Sequence, residues 1–364
     1  MQNLQSGYKF KTRGEKGFSI IELMVSIIIF LIFMSAIYGL LKIGTIQKSS
    51  ASSQTEVIKN ARLSLNTIGR DAVNAGFGYT RVGGYAPENI LNLRLGIPPD
   101  ADSTHDLITA VVGGNNVNTN SLLPSGRTDV ISFVFRDINF NAGQPIKFTD
   151  AANFGGNGVT ATTLAGQAAA VNPFDLFLVS NGTRTAIALT TAVPTGGNTL
   201  RFETGASDPL KVNSPYTGAV AVRSKLFACT PTATPPVTDD CMDYTSDRVT
   251  AKKVIWVSYS VSSDGTLIKT IYGNNTGNTA ANQIQILPIA SNVQNFQVKY
   301  LLRDGTVSDD PSNGGLNQEN FNNVVQIDVT INALVETSEN GVKLKNLVEI
   351  KSTFSTKNLS YDIG

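Results

Sequence analysis

The stretch Lys16-Gly17-Phe18-Ser19-Ile20-Ile21-Glu22-Leu23-Met24-Val25 decides how this chain must fold, because an uncharged apolar run continues from Leu23 to Leu41. As a helix the segment from Phe18 to Leu41 would measure about 36 Å at about 1.5 Å per residue, enough to cross a hydrocarbon layer of about 30 Å. A secretory signal peptide fits less well, since its apolar core is about 7–15 residues with a small-residue cleavage site on the far side. Upstream stand Lys9, Lys11, Arg13 and Lys16 against only Glu15. That asymmetry keeps the leader cytoplasmic and places everything after Lys42 across the membrane. Glu22 is the one carboxylate inside the apolar segment. An ionised group there costs roughly 2.5–3.5 kcal/mol on insertion scales, so it signals a function and a partner. The plain alternative is a signal anchor whose Glu22 snorkels at the bilayer edge, and such an anchor does not require Gly17 next to an apolar residue.

Small Gly17, aromatic Phe18 and a glutamate five residues into the mature chain together resemble the type IV prepilin cleavage and N-methylation signal. The resemblance implies that a prepilin peptidase cuts between Gly17 and Phe18 and methylates the new amino group of Phe18. It also gives Glu22 a partner. In a filament of side-by-side apolar helices, the terminal ammonium of one subunit neutralises the Glu22 carboxylate of its neighbour, which would otherwise be buried and unpaired. Glu22 would then set axial register during assembly.

Beyond the apolar run the helical pattern continues. Ile58, Ala61, Leu65, Ile68, Ala72 and Ala75 form one stripe, while Lys59, Arg62, Asn66, Arg70 and Asn74 face elsewhere. Gly39, Gly44 and Ser49-Ser50-Ala51-Ser52-Ser53 predict a bend or a local melt, and Gly76 with Gly78 predicts the end. From about residue 80 the pattern changes to strands, predicted at Asp106–Val112, Asp129–Arg136, Phe174–Ser180, Arg184–Leu189, Ala219–Phe227, Val254–Val261, Thr266–Tyr272, Val293–Leu302, Val324–Asn332 and Leu347–Ser355. The last two alternate apolar and polar with period 2, the pattern of an antiparallel sheet with one wet face. Ser263-Asp264-Gly265-Thr266 reads as a hairpin turn. Polar stretches at Gly113–Ser121, Asn141–Gly166, Gly273–Asn282 and Ser308–Asn323 read as long loops. The expected class is α+β: a long N-terminal helix packed on a large, mainly antiparallel β-sheet head. The plan is a cleaved leader at 1–17, a transmembrane helix at 18–41, its amphipathic continuation at 42–78 and a β-rich head at 79–364.

Asn60-Ala61-Arg62 through Gly69-Arg70-Asp71, followed by Asn74-Ala75-Gly76-Phe77-Gly78-Tyr79, resembles the helix end and glycine break of the PilW family of type IV pilus minor pilins. Val293-Gln294-Asn295-Phe296-Gln297-Val298-Lys299-Tyr300 is similar to that family's late strand, and the last strand with Lys357-Asn358-Leu359 to its ending. The resemblance implies a minor pilin that initiates or primes pilus assembly. Its partners would be other major and minor pilins, the prepilin peptidase and the assembly platform. It would span the inner membrane once, with the head outside the cytoplasm, and then enter the extracellular pilus, with the tip as one placement. The J-type pseudopilins of type II secretion share parts of the pattern and are the alternative. A tip adhesin or DNA-binding pilin is a second one.

Composition narrows the functional classes. Net charge is +1 and charged residues make up 16%, so no global basic field argues for nucleic acid. Arg184, Arg201, Arg223, Lys225 and Lys252-Lys253 are scattered rather than clustered with aromatics. Cys229 and Cys241 are the only cysteines. On the exported side of a membrane two thiols this close favour a disulfide over a metal site. His105 is the only histidine, read as a surface residue at a loop–strand junction, and no hydrolase, zinc or phosphate-loop motif is present. Asp137-Ile138-Asn139-Phe140-Asn141-Ala142-Gly143 and Asp309-Asp310-Pro311-Ser312-Asn313-Gly314-Gly315 could offer oxygen ligands to calcium but read better as turns. The expectation is a structural and assembly protein without cofactor or catalysis.

Overall fold

The computed structural model describes residues 17–99, 105–153, 158–180, 185–193, 197–213, 249–277, 279–339 and 342–356. One helix, α1 (Ile20–Asn74), opens the chain. The strands that follow are β1 (Gly84–Ala86), β2 (Asp106–Ile108), β3 (Val111–Thr119), β4 (Arg127–Arg136), β5 (Ile146–Asn153), β6 (Gly158–Thr163), β7 (Leu176–Ser180), β8 (Thr185–Leu189) and β9 (Thr199–Glu203), with a short helix α2 (Ile90–Leu95) after β1. Then come β10 (Thr250–Val261), β11 (Leu267–Tyr272), β12 (Ile284–Ala290), β13 (Val293–Leu302), β14 (Val307–Ser308), β15 (Val324–Glu339) and β16 (Val342–Ser355). The chain divides into two compact units, Met1–Ser53 with Glu336–Leu344 and Gln54–Val335 with Lys345–Gly364.

In the first unit the apolar side chains of α1 from Ile20 to Ile43 are exposed, and this is the one helix among the described residues long and apolar enough to cross a membrane. α1 continues through Gly39, Gly44 and the serine-rich stretch, so the expected local melt does not occur. Two glycines cost about 1 kcal/mol each, a small penalty within a helix of 55 residues, and Thr45 donates its hydroxyl to Lys42 O at 2.8 Å.

The second unit is built on β10. Its first residues, Thr250–Lys253, pair with β7, and Val254–Ser260 pair with β4. β10 therefore belongs to two arms of one larger sheet, which runs β2-β1-β8-β7-β10-β5-β6-β9 and carries β4-β3 and β11-β12 as branches. A smaller sheet has the order β14-β13-β15-β16. Among the described residues the pairings with a defined register are antiparallel apart from β1 with β8. The Asp264-Gly265 turn joins β10 to β11, with Gly265 left-handed at φ 83°.

Within this unit α1 lays Ala61, Leu65, Ile68 and Ala72 into the same core as Phe133, Trp256 and Tyr259. Each buried Leu or Ile contributes about 1.5–3 kcal/mol. The predicted stripe is the buried face, with Ile58 half-buried at its start. Gly69 allows the closest approach. A Cβ there would stand 2.3 Å from the Phe354 ring of β16, which explains a glycine in mid-helix at a propensity cost of about 1 kcal/mol. Asp71 is the charged member of the buried face. Its Oδ2 accepts from Tyr259 Oη and from Lys269 Nζ, each at 2.5 Å, so the helix is tied to β10 and β11 by one carboxylate. At the helix end Gly76 and Gly78 are left-handed, at φ 79° and 62°. The chain then leaves directly along β4, with Gly76 N–H donating to Val134 O and Arg136 N–H to Phe77 O.

The period-2 strands hold as expected: Ile327, Val329 and Ile331 are buried, while Glu349, Lys351, Thr353 and Ser355 are exposed. Several expected loops are structured instead. Gly113–Ser121 is mostly β3, bulged between Gly114 and Asn118, and Asn141–Gly166 contains β5 and β6. Ser308–Asn323 folds back on the core: Gln318 Oε1 accepts the Leu107 N–H at 2.6 Å, and Phe321 packs edge-to-face on Tyr300. Asp106–Val112 is two strands. The Ala219–Phe227 expectation lies outside the described residues.

Buried carboxyls give the fold a pH dependence: burial raises Asp106 and Asp175, and Asp129 and Asp208 by more. Asp129 on β4 accepts N–H groups from Asn116 and Val298, bridging β3 to β13, and Asp208 accepts from Leu210, Lys211 and Asn213. Burial pushes each up from 3.8 to about 6, with Asp309 and Asp310 adding to the rise at Asp129. The folded carboxyl thus holds its proton more tightly than the unfolded one. Stability should therefore rise as pH falls from about 7 through about 6, and the gain is complete below about 4. Each group is expected to contribute about 1–3 kcal/mol, since a tenfold difference in proton affinity between folded and unfolded chain is about 1.4 kcal/mol. Urea midpoints of the detergent-solubilised chain at pH 7.5 and 5 measure this. Asp129→Asn and Asp208→Asn together should reduce the slope, and a wild-type midpoint that falls toward acid would refute it.

Candidate functional site

The site is the start of α1. Residues 17–19 are non-helical and exposed, and α1 begins at Ile20, so the Gly17–Phe18 peptide bond lies in open backbone just ahead of the first turn. A bond inside the helix would be shielded by its hydrogen-bond ladder. Phe18 is 82% exposed, and nothing lies within 4 Å of a Cβ built on Gly17.

The first turn is closed by its own side chains. Glu22 Oε2 accepts the Ser19 N–H at 3.1 Å, and Ser19 Oγ accepts the Ile21 N–H at 3.3 Å. Ser19 O in turn accepts the Leu23 N–H, and Ser26 Oγ returns to Glu22 O at 2.8 Å. Ser19 is thus the N-cap and Glu22 the third helical residue of a capping box. A carboxylate at this end is also favoured by the helix dipole. The sequence reading gives Ser19 no role. Ser-x-x-Glu ahead of an apolar run is the signal that carries it.

Residues 12–38 match the family model for the prokaryotic N-terminal methylation motif. No curated protein and no solved structure matches the chain. The matched span runs across the exposed Gly17–Phe18 bond, the Ser19–Glu22 cap and the apolar turns of α1. The chain therefore carries a type IV pilin-like prepilin signal. That signal supports a pilin or pseudopilin role, a structural one, with other pilins and a prepilin peptidase as partners in general. The signal and the apolar helix fit a membrane-anchored pilin.

The remaining candidates that lie among the described residues are held by local partners. Cys229 and Cys241 lie outside the described residues, as do Arg184, Arg223 and Lys225. His105 is half-buried just before β2, its ring edge-to-face on Tyr85 at 4.7 Å. Lys253 is committed to the buried Asp175 at 2.7 Å, and Arg201 faces Glu203 at 3.7 Å. Both calcium-like runs close on themselves. Asp310 Oδ1 accepts from the Ser312 N–H and hydroxyl and Oδ2 from Gly314 N–H, while Asp137 Oδ1 accepts from Asn139 N–H. Among the described residues no three His, Cys, Asp or Glu side chains converge as a metal site would need.

Proposed function

We propose that the chain is a PilW-like minor pilin that initiates or primes type IV pilus assembly. The observation that carries the reading is the methylation-motif match lying on an exposed Gly17–Phe18 bond at the mouth of a capped apolar helix. The large β-rich head supports a minor over a major position, because bulk is tolerated in a low-copy subunit and hinders close helical packing. In this reading the peptidase cuts after Gly17 and methylates Phe18. The segment 18–41 crosses the inner membrane, the head lies outside the cytoplasm, and Glu22 meets the terminal ammonium of a neighbouring pilin.

Glu22→Ala tests the assembly step. It removes a charge that is costly in hydrocarbon, so insertion should be at least as good as before. The neighbour's ammonium then loses its counter-charge, and co-purification with pilin partners at matched membrane levels should fall several-fold. Undiminished recovery would show that Glu22 does not act through subunit pairing. In the same reading Cys229 and Cys241 form a disulfide in an oxidising compartment, closing a loop for which the chain-entropy model gives roughly 3 kcal/mol. Non-reducing peptide mapping should recover the Cys229–Cys241 crosslink. Two freely alkylated thiols in protein from native membranes would count against it.

A further inference from the structure

Glu22 has two carboxylate oxygens, and the chain itself occupies one. Oε2 takes the Ser19 N–H, and Ser19 answers by taking the Ile21 N–H on its hydroxyl, so each residue fixes the other. The reciprocal cap matters more here than at a water-exposed helix start. In hydrocarbon no solvent can satisfy the free N–H groups of the first turn, and each one left unpaired is costly. Folding back to Ser19 also brings the Glu22 carboxylate to the residue next to Phe18, whose nitrogen is the new chain end in the reading given above. Among the described residues none donates a hydrogen bond to Oε1.

We propose that Ser19 is a positioning residue for Glu22: the cap fixes the carboxylate through Oε2 and reserves Oε1 for the ammonium of a neighbouring subunit. This rests on the assembly reading of Glu22 given above. The two oxygens thus divide the work, one holding the first turn together in lipid and the other pairing between subunits. Alanine at position 19 leaves the charge in place but frees the side chain that carries it. Threonine keeps the hydroxyl. Glutamine at position 22 keeps an oxygen for the Ser19 N–H but removes the charge.

The test uses the full chain with its leader, expressed beside the host's own pilins, as Ser19→Ala, Ser19→Thr, Glu22→Ala, Glu22→Gln and the Ser19→Ala/Glu22→Ala double variant. Membrane levels are matched, the N-terminus is checked by mass spectrometry, and the readout is recovery of the prepilin-signal proteins that co-purify with wild type. Ser19→Ala is expected to lower recovery about three- to tenfold and Ser19→Thr to restore it, as a hydroxyl cap requires. Glu22→Gln should fall as far as Glu22→Ala, and the double variant no further than Glu22→Ala alone. Unchanged recovery in Ser19→Ala, failure of threonine to rescue, or a further loss in the double variant overturns the positioning role. If Glu22→Ala itself matches wild type, the assembly reading falls and takes the proposal with it. If Glu22→Ala falls and Ser19→Ala does not, the proposal alone is lost.

Discussion

Asp71→Ala is expected to cost the fold about 3–5 kcal/mol, a large share of the roughly 5–15 kcal/mol that holds a typical domain together. The reason is the residue it leaves behind. Lys269 Nζ lies 2.5 Å from Asp71 Oδ2 with its side chain 13% exposed, and 5.6 Å from the Tyr259 ring centroid. Without the carboxylate the ammonium stays buried beside the ring face and a phenol left with only the longer contact to Thr67 O at 3.4 Å. The carboxylate's other contact, Arg70 at 3.9 Å, is largely exposed and adds little. Removing both charges should therefore restore most of the loss: Asp71→Ala with Lys269→Met is expected to be closer to wild type than Asp71→Ala alone. Urea unfolding of the four proteins in the cycle measures the coupling. A single-variant cost below about 1 kcal/mol, or no recovery in the pair, would mean that the helix is held by its apolar stripe alone.

The second large effect is all-or-none. Gly17→Trp is expected to leave the leader attached in essentially every molecule, because the peptidase subsite must accept the residue before the cut. The chain's own geometry isolates that cause. Apart from its chain neighbours, no described atom lies within 4 Å of a Cβ at Gly17, and the segment is non-helical and exposed, so tryptophan there strains nothing among the described residues. Uncleaved protein that is still folded and membrane-bound is the expected product. A chain beginning at Phe18 in that variant would detach the glycine from the cleavage chemistry.

Much of the architecture was legible because its signals are local. The Leu23–Leu41 run, the 3.6-residue stripe from Ile58 to Ala75, and the alternation of Ile327, Val329 and Ile331 each report their surroundings within one element. β5 and β6 were not legible. Their inward residues include Phe148, Val159 and Ala161, but the intervening Thr, Asp, Asn and Gly read as loop until β9 and β10 supply partners. The same holds for β3, where Gly113 and Gly114 are required by close neighbours: a Cβ on Gly113 would strike the Tyr300 hydroxyl at 1.8 Å. Asp71 sits beside a stripe of alanines, and its partner Lys269 is 198 residues away, a contact no local period can announce. At the site, Gly17, Phe18 and Glu22 stood out by type and spacing. Ser19 did not, although its relation to Glu22 is a three-residue spacing, because the carboxylate in the apolar run invited an intermolecular partner first.

Whether this chain is processed as a prepilin is decided by the N-terminal mass of the protein extracted from its native membranes. A chain that begins at Phe18 and carries one methyl group on its amino nitrogen is the expected result. A chain that retains residues 1–17, or one cut elsewhere with an unmodified amino group, would contradict it.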